Sequence, residues 1–220
     1  MKIGVPRGLL YPKYHVFAKT FLEEIGADII VSPSTNKRIL DEGVRCCVDE
    51  ACLPTKVFHG HVSWLKDKCD AIFIPRFMSI RKNEHICPMF CGIIEMLKNN
   101  IKELPEIIDA PIYSFDKKSL LKWAKVAGKA ISEDEVRLEM AFEKALNNQL
   151  GYRFGFNDEG YALKIGLIGH VYNVDDKFVN MDIKKKLNNM GIGVMTGEYV
   201  DRKGIDYEIS KLFKKPFWTF

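Results

Sequence analysis

The sequence predicts an α/β protein: a parallel-sheet domain, a helical segment, and a second, incomplete α/β domain. Three observations carry that prediction. Short apolar runs alternate with helix-length stretches from residue 2 onward, glycines stand where helices should stop, and the opening "KIGVPRG" (2–8) returns as "KIGLIGH" (164–170). Such alternation points to strands joined by crossover helices.

In chain order, "KIGVP" reads as a strand, "YPKYHVFAKTFLEEIG" as a helix stopped by Gly26, "ADIIVSP" as a second strand, and "STNKRILDEG" as a short helix capped by Ser34 or Thr35. "VRCCV" reads as a brief strand, "PTKVFHGHVSWLKDK" as a helix, "CDAIFIPR" as a strand, "PMFCGIIEMLKNN" as a helix and "APIYSFD" as a strand. These make a first domain over 1–116. A wholly helical connector follows over 117–150, then a linker over 151–163. The second domain, 164–220, restarts the pattern: "FLEEIGADIIVSP" is echoed by "KLNNMGIGVMTGE", so strand, helix, glycine stop and strand recur in order. A helix over about 205–214 and a strand "PFWTF" complete it. A sheet of about three strands leaves an edge and an apolar face uncovered, which predicts a partner or a fragment.

Composition narrows the class. At 220 residues and 47% apolar content the chain can bury an ordinary core, and its apolar runs, such as "ADIIV", are far too short to span a bilayer. With no signal-like leader, a cytoplasmic protein is expected. The net charge of +4 comes from lysines interleaved with acids, a solvated surface with no basic and aromatic stripe for nucleic acid. Six cysteines without an export signal do not suggest a disulfide framework. Metal binding, redox chemistry and plain burial stay open.

Cys52 in "DEACLPTK" and Cys87 in "HICPMFCG" each stand just before a proline suited to open a helix. Backbone N–H groups and the helix dipole favour a thiolate there. Loops leaving the carboxyl ends of parallel strands share one rim, so the two cysteines can converge on one centre although 35 residues apart. Burial as small hydrophobes is the alternative for both. Cys91, four residues after Cys87, borders the stripe of Phe90, Ile93, Ile94 and Leu97 and is a further candidate ligand. Cys46 and Cys47 would face opposite sides of a strand, and Cys69 is expected to be buried.

His61 falls on an apolar helix face and reads as a hydrogen-bonded core residue, with His59 exposed on the other side. Arg7, Arg76, Arg81 and His85 follow strand ends near the rim, where they could hold an anionic ligand or tune a cluster. No G-x-x-x-x-G-K-[ST] occurs, "GIGVMTG" breaks the dinucleotide G-x-G-x-x-G spacing, and neither G-x-S-x-G nor H-E-x-x-H is present.

The stretch from "KIGVPRGLLYPKYHVFAKTFLEEIGADIIVSPSTNKRILDEGV" through "VDEACLPTKVFHGHV", "IFIPR", "CPMF" and "KIGLIGHVYNVDDKFVNMDI" to "FWTF" resembles the N-terminal part of the acyl-CoA dehydratase activase-related proteins, within the 2-hydroxyacyl-CoA dehydratase family. The resemblance implies Rossmann-like domains and an oxygen-sensitive 4Fe-4S cluster between them. It also implies three cysteine ligands, two from the first domain and one from the second, and an open iron site for water or substrate. A separate ATP-dependent iron–sulfur activator would inject a low-potential electron, used by dehydratases to form a ketyl radical from a thioester and by a double-cubane branch to reduce small molecules. By motif, Cys52 and Cys87 match the two first-domain ligands. The family pattern continues past "FWTF" to a further cysteine, so Cys91, a complementary C-terminal chain or a homodimer would have to complete the cluster here. Two other functions remain: a non-catalytic split module acting as interface or scaffold, and a zinc or thiol site at the same cysteines.

Overall fold

The computed structural model describes residues 1–79 and 86–200, with Gly204, Tyr207 and Lys211. Its centre is a four-stranded sheet of β1 (Lys2–Val5), β2 (Asp28–Val31), β3 (Ala71–Phe73) and β5 (Glu106–Ile108), in the order β2-β1-β3-β5. Every pairing is parallel, with Ile3 beside Ile29 and Ala71, and Ile72 beside Ile107. A shorter parallel pair, β4 (Arg76–Phe77) with β6 (Pro111–Ile112), lies just beyond β3 and β5 in sequence. The expected strand "CDAIFIPR" is therefore two, divided around Pro75, which has no N–H to give a ladder. β5 escaped the sequence because "EII" is three residues long beside Pro105.

Period-two alternation gives the sheet two buried faces. Ile3, Val5, Ala71 and Phe73 pack with Phe21, Trp123 and Phe142, from α1 (Tyr11–Glu24), α6 (Lys117–Gly128) and α7 (Glu135–Gly151). Ile72 and Ile74 pack the other way, with Val62 and Leu65 of α3 (Leu53–Leu65) and Ile94 and Leu97 of α5 (Ile93–Asn100). The single helical connector is thus two helices. Asp134 starts the second by accepting hydrogen bonds from the Val136 and Arg137 amides.

The segment "VRCCV" is no strand: Val44 to Cys46 complete α2 (Lys37–Cys46). Two glycines decide this. Gly43 of α2 and Gly60 of α3 face each other with no side chain between, and a Cβ on either would lie 1.9 Å from a backbone oxygen of the other helix. The contact requires both segments to be helical. The cap of α2 is Asn36, which accepts from the Ile39 amide at 3.2 Å, and not Ser34 or Thr35, whose hydroxyls are engaged elsewhere. "PMFCGIIEMLKNN" divides at Gly92 into α4 (Pro88–Cys91), a single turn, and α5.

The internal repeat is real. β7 (Leu163–Leu167) and β8 (Ile192–Thr196) pair in parallel, joined through α8 (Val171–Val174) and α9 (Ile183–Asn189), as β1 and β2 are joined through α1. Both units end their helices at a left-handed glycine, Gly26 (φ +95°) and Gly191 (φ +78°), where a side chain would be strained. The nominal linker belongs to this second unit, since the Thr196 and Asp158 amides donate to Phe156 O and Val194 O. The unit leaves Leu163, Ile168 and Met190 exposed. The "PFWTF" strand lies outside the described residues, as does the proposed helix except for Tyr207 and Lys211, which are helical. Among the described residues no helix is long and apolar enough to cross a membrane.

Candidate functional site

The loops that follow β1, β2 and β3, and the loop after β7, meet at one rim. Cys52 is the N-cap of α3, with Pro54 in the first turn; its backbone is extended and its thiol, 3.2 Å from Thr55 Oγ1, is exposed. Cys87 is likewise the exposed N-cap before Pro88, although the helix it opens, α4, is only one turn long. What joins them is Tyr172 of α8. Its phenol is pushed up to about 12, first by burial and then by the thiol groups of both Cys52 and Cys87, close enough to oppose its ionisation. Tyr172 packs on Phe90 of α4 at 5.7 Å and stacks on His170 at 5.1 Å.

The other cysteines face inward or carry no partner chemistry. Cys91 directs its thiol toward Phe77 O at 3.7 Å, is half-buried, and has its pKa raised by burial and by Cys87. Cys47 is buried, and Cys46 is pushed up to about 11 by burial and Glu42. Cys69 is half-buried rather than fully so, its thiol donating to Leu65 O. Among the described residues no three His, Cys, Asp or Glu side chains gather closely enough to hold a metal ion by themselves.

Beside this rim a cleft of about 480 Å³ separates the two units. Arg7, His15, Pro54, Tyr152, Tyr172 and Asp175 line it. The Arg7 guanidinium lies over the Tyr11 ring at 5.5 Å and its Nη1 donates to Ser34 Oγ at 2.9 Å. Its buried Nε has no hydrogen-bond acceptor among the described residues. Arg76 is spent otherwise: it bridges Glu95 and Asp109, each at 2.7 Å, and holds α5 to the segment after β5. His85 and Arg81 lie outside the described residues.

His61 is fully buried and doubly bonded, to Ser32 Oγ at 2.9 Å and Thr35 Oγ1 at 3.1 Å, as expected of a core histidine. His59 is the surprise, because it is fully buried too: Nδ1 donates to Thr55 O at 2.8 Å and Nε2 accepts from Asn100. The short contact between α2 and α3 buries more of the α3 circumference than an amphipathic helix would.

Two groups here give stability opposite pH dependences. Burial, with Arg7 nearby, pushes His61 from 6.5 down to about 3. Between those values the unfolded chain binds the extra proton, so the His61 contribution is whole above pH 6.5 and is lost as pH falls, by at most about 1.4 kcal/mol per pH unit. Asp175 runs the other way. Burial and then Glu198 raise it from 3.8 to about 6, so the folded chain holds the extra proton and this contribution fades as pH rises through that window. Asp175→Asn should therefore stabilise the protein at neutral pH and steepen its loss of stability between pH 6 and 4. Urea midpoints across that range test this, and an unchanged profile would contradict it.

Sequence reasoning missed Tyr172, His170 and Asp176. The signal was present: "GHVYNVDD" follows β7 as "PRGLLYP" follows β1, so its residues had to reach a strand-end rim. The fold and site thus define an α/β protein with two parallel units that share a cysteine-bearing rim. The family model for the CoA enzyme activase uncharacterised domain (DUF2229) matches residues 2–200, and the chain belongs to this family, in keeping with an activase-related protein of the 2-hydroxyacyl-CoA dehydratase family. No curated protein matches the sequence.

Proposed function

We propose that this chain is the thiolate-bearing part of an iron–sulfur protein in an ATP-activated, low-potential reductase or 2-hydroxyacyl-CoA dehydratase-like system. Family membership supports the coarser role in dehydratase activation. The observation that carries the finer reading is that two exposed thiols, Cys52 and Cys87, are both near enough to the Tyr172 phenol to oppose its ionisation. Cysteine thiolates are the usual ligands of a 4Fe-4S cluster, and such a cluster supplies low-potential electron transfer when bound.

The fit is partial. Cys52 and Cys87 are both exposed at helix N-caps, while Cys91, the third candidate, would have to turn outward from Phe77 O. The remaining ligands come from outside the described residues or from a second polypeptide, a complementary chain or another copy. Arg7, which lines the cleft, would hold an anionic ligand beside the cluster, and His85 remains a candidate for the same task. An ATP-dependent iron–sulfur activator is the expected electron donor.

The test is the iron and acid-labile sulfide content of protein purified without oxygen, with electron paramagnetic resonance after reduction. Iron and sulfide in equal amounts support the proposal. Zinc without sulfide would establish a zinc–thiol site instead, and metal-free protein would leave a scaffold or interface role.

A further inference from the structure

A chain of hydrogen bonds crosses the cleft, and its ends fix its direction. The Arg7 amide donates to Ser32 Oγ at 2.7 Å, Ser32 Oγ lies 2.9 Å from His61 Nδ1, and His61 Nε2 lies 3.1 Å from Thr35 Oγ1. Thr35 then donates its hydroxyl to Asp176 Oδ2 in the second unit. An ionised carboxylate only accepts, and a hydroxyl has one proton to give. Thr35 spends its proton on Asp176 and must therefore accept one from His61 Nε2. Neutral His61 then has a bare Nδ1, which takes the Ser32 proton, and Ser32 accepts the Arg7 amide. Each donor meets one acceptor from end to end. Asp176 is held in place by its own turn, Oδ1 accepting from the Phe178 and Val179 amides at 3.0 and 3.1 Å.

We propose that Asp176, Thr35 and His61 are positioning residues that latch the second unit over the first, setting together the width of the cleft, the placement of Arg7 and the seating of α3, whose N-cap is Cys52. Ring contacts among the described residues also tie the two units: Tyr152 meets His15 edge-on at 5.0 Å, Tyr172 packs on Phe90 at 5.7 Å, and Lys13 lies over Phe154 at 5.7 Å. Contacts of that kind tolerate sliding, whereas a hydrogen bond to a buried, oriented imidazole fixes one register. The consequence for a bound anion rests on the proposed function, but the latch does not.

The tautomer of His61 reads the chain directly. Nitrogen NMR of the metal-free, ligand-free protein, assigned with His61→Gln, should show the proton on Nε2. In Asp176→Asn the new amide would donate to Thr35, turn the Thr35 proton toward Nε2, and move the imidazole proton to Nδ1. Thr35→Val should speed amide exchange over residues 175–179 by about tenfold or more, the equivalent of losing one charge-assisted hydrogen bond, while Thr35→Ser should preserve it. A proton found on Nδ1 of the wild type, an unmoved proton in Asp176→Asn, or unchanged exchange in Thr35→Val would each overturn the latch. The wild-type tautomer decides even if a variant fails to fold. None of these readouts needs iron, so their failure is separate from failure of the cluster proposal.

Discussion

Gly60→Ala is expected to unseat α3 from α2 and to cost about 3 kcal/mol or more, beyond the ordinary range for overpacking. The added methyl would lie 1.9 Å from Ile39 O and 2.9 Å from its carbonyl carbon. These are backbone atoms in a helix, so no rotamer change can relieve the clash. Gly43→Ala meets the reciprocal obstacle, 1.9 Å from Lys56 O. A fall in Tm of roughly 6–12 °C follows for a chain of this size, and circular dichroism on heating measures it. Gly151→Ala is the matched control: its Cβ would meet nothing within 4 Å, at the end of α7, and should leave Tm unchanged or slightly raised. If Gly60→Ala melted with the wild type, the close approach of the two helices would be wrong. The substitution reaches function as well as stability, because the helix that moves begins at Cys52.

The second large effect concerns the thiols. On the proposed cluster reading, Cys52→Ala and Cys87→Ala should each reduce iron and sulfide by more than about tenfold in anaerobically purified protein, since a cluster with so few local ligands cannot lose one. Both side chains are exposed, so the substitutions should alter stability by no more than about 0.5 kcal/mol. Loss of iron would then not be loss of fold. Cys69→Ala, away from the rim, should retain full iron, and Cys91→Ala reports whether that thiol turns outward to ligate. Full iron in either Cys52→Ala or Cys87→Ala would remove that residue from the site.

Much of this was legible in the sequence. The alternating elements, the two glycine stops and the repeated opening all reappear as β1-α1-β2 and β7-α9-β8, because local chain stiffness and period-two burial dictate them. The placement of Cys52 and Cys87 at helix starts was legible in the prolines that follow. What escaped was decided by partners distant in sequence. "VRCCV" has β-branched ends and looks like a strand, yet Gly43 against Gly60 keeps Val44 to Cys46 in the helix. His59 looks like a surface residue until Asn100, 41 positions on, covers it. Arg76 looks like a free cation at a strand end until Glu95 and Asp109 neutralise it. Asp176 lies in an unremarkable "VDDK" and gains meaning only when Thr35 arrives from the other unit.

The strand order also says something about how the chain comes to fold. β1 is made before both of its neighbours, and it is flanked on both sides in the finished sheet, by β2 and by β3. One edge can pair once residue 31 has emerged. The other waits for residues 71–73, a delay on the order of seconds at ordinary rates of synthesis. During that interval the nascent chain carries an apolar βαβ unit of β1, α1 and β2 with one ladder open, the kind of edge that recruits stray strands. Protein synthesis, and not only the finished interior, therefore places a demand on Ile3 and Val5: they must stay shielded by α1 until Ala71 and Phe73 arrive.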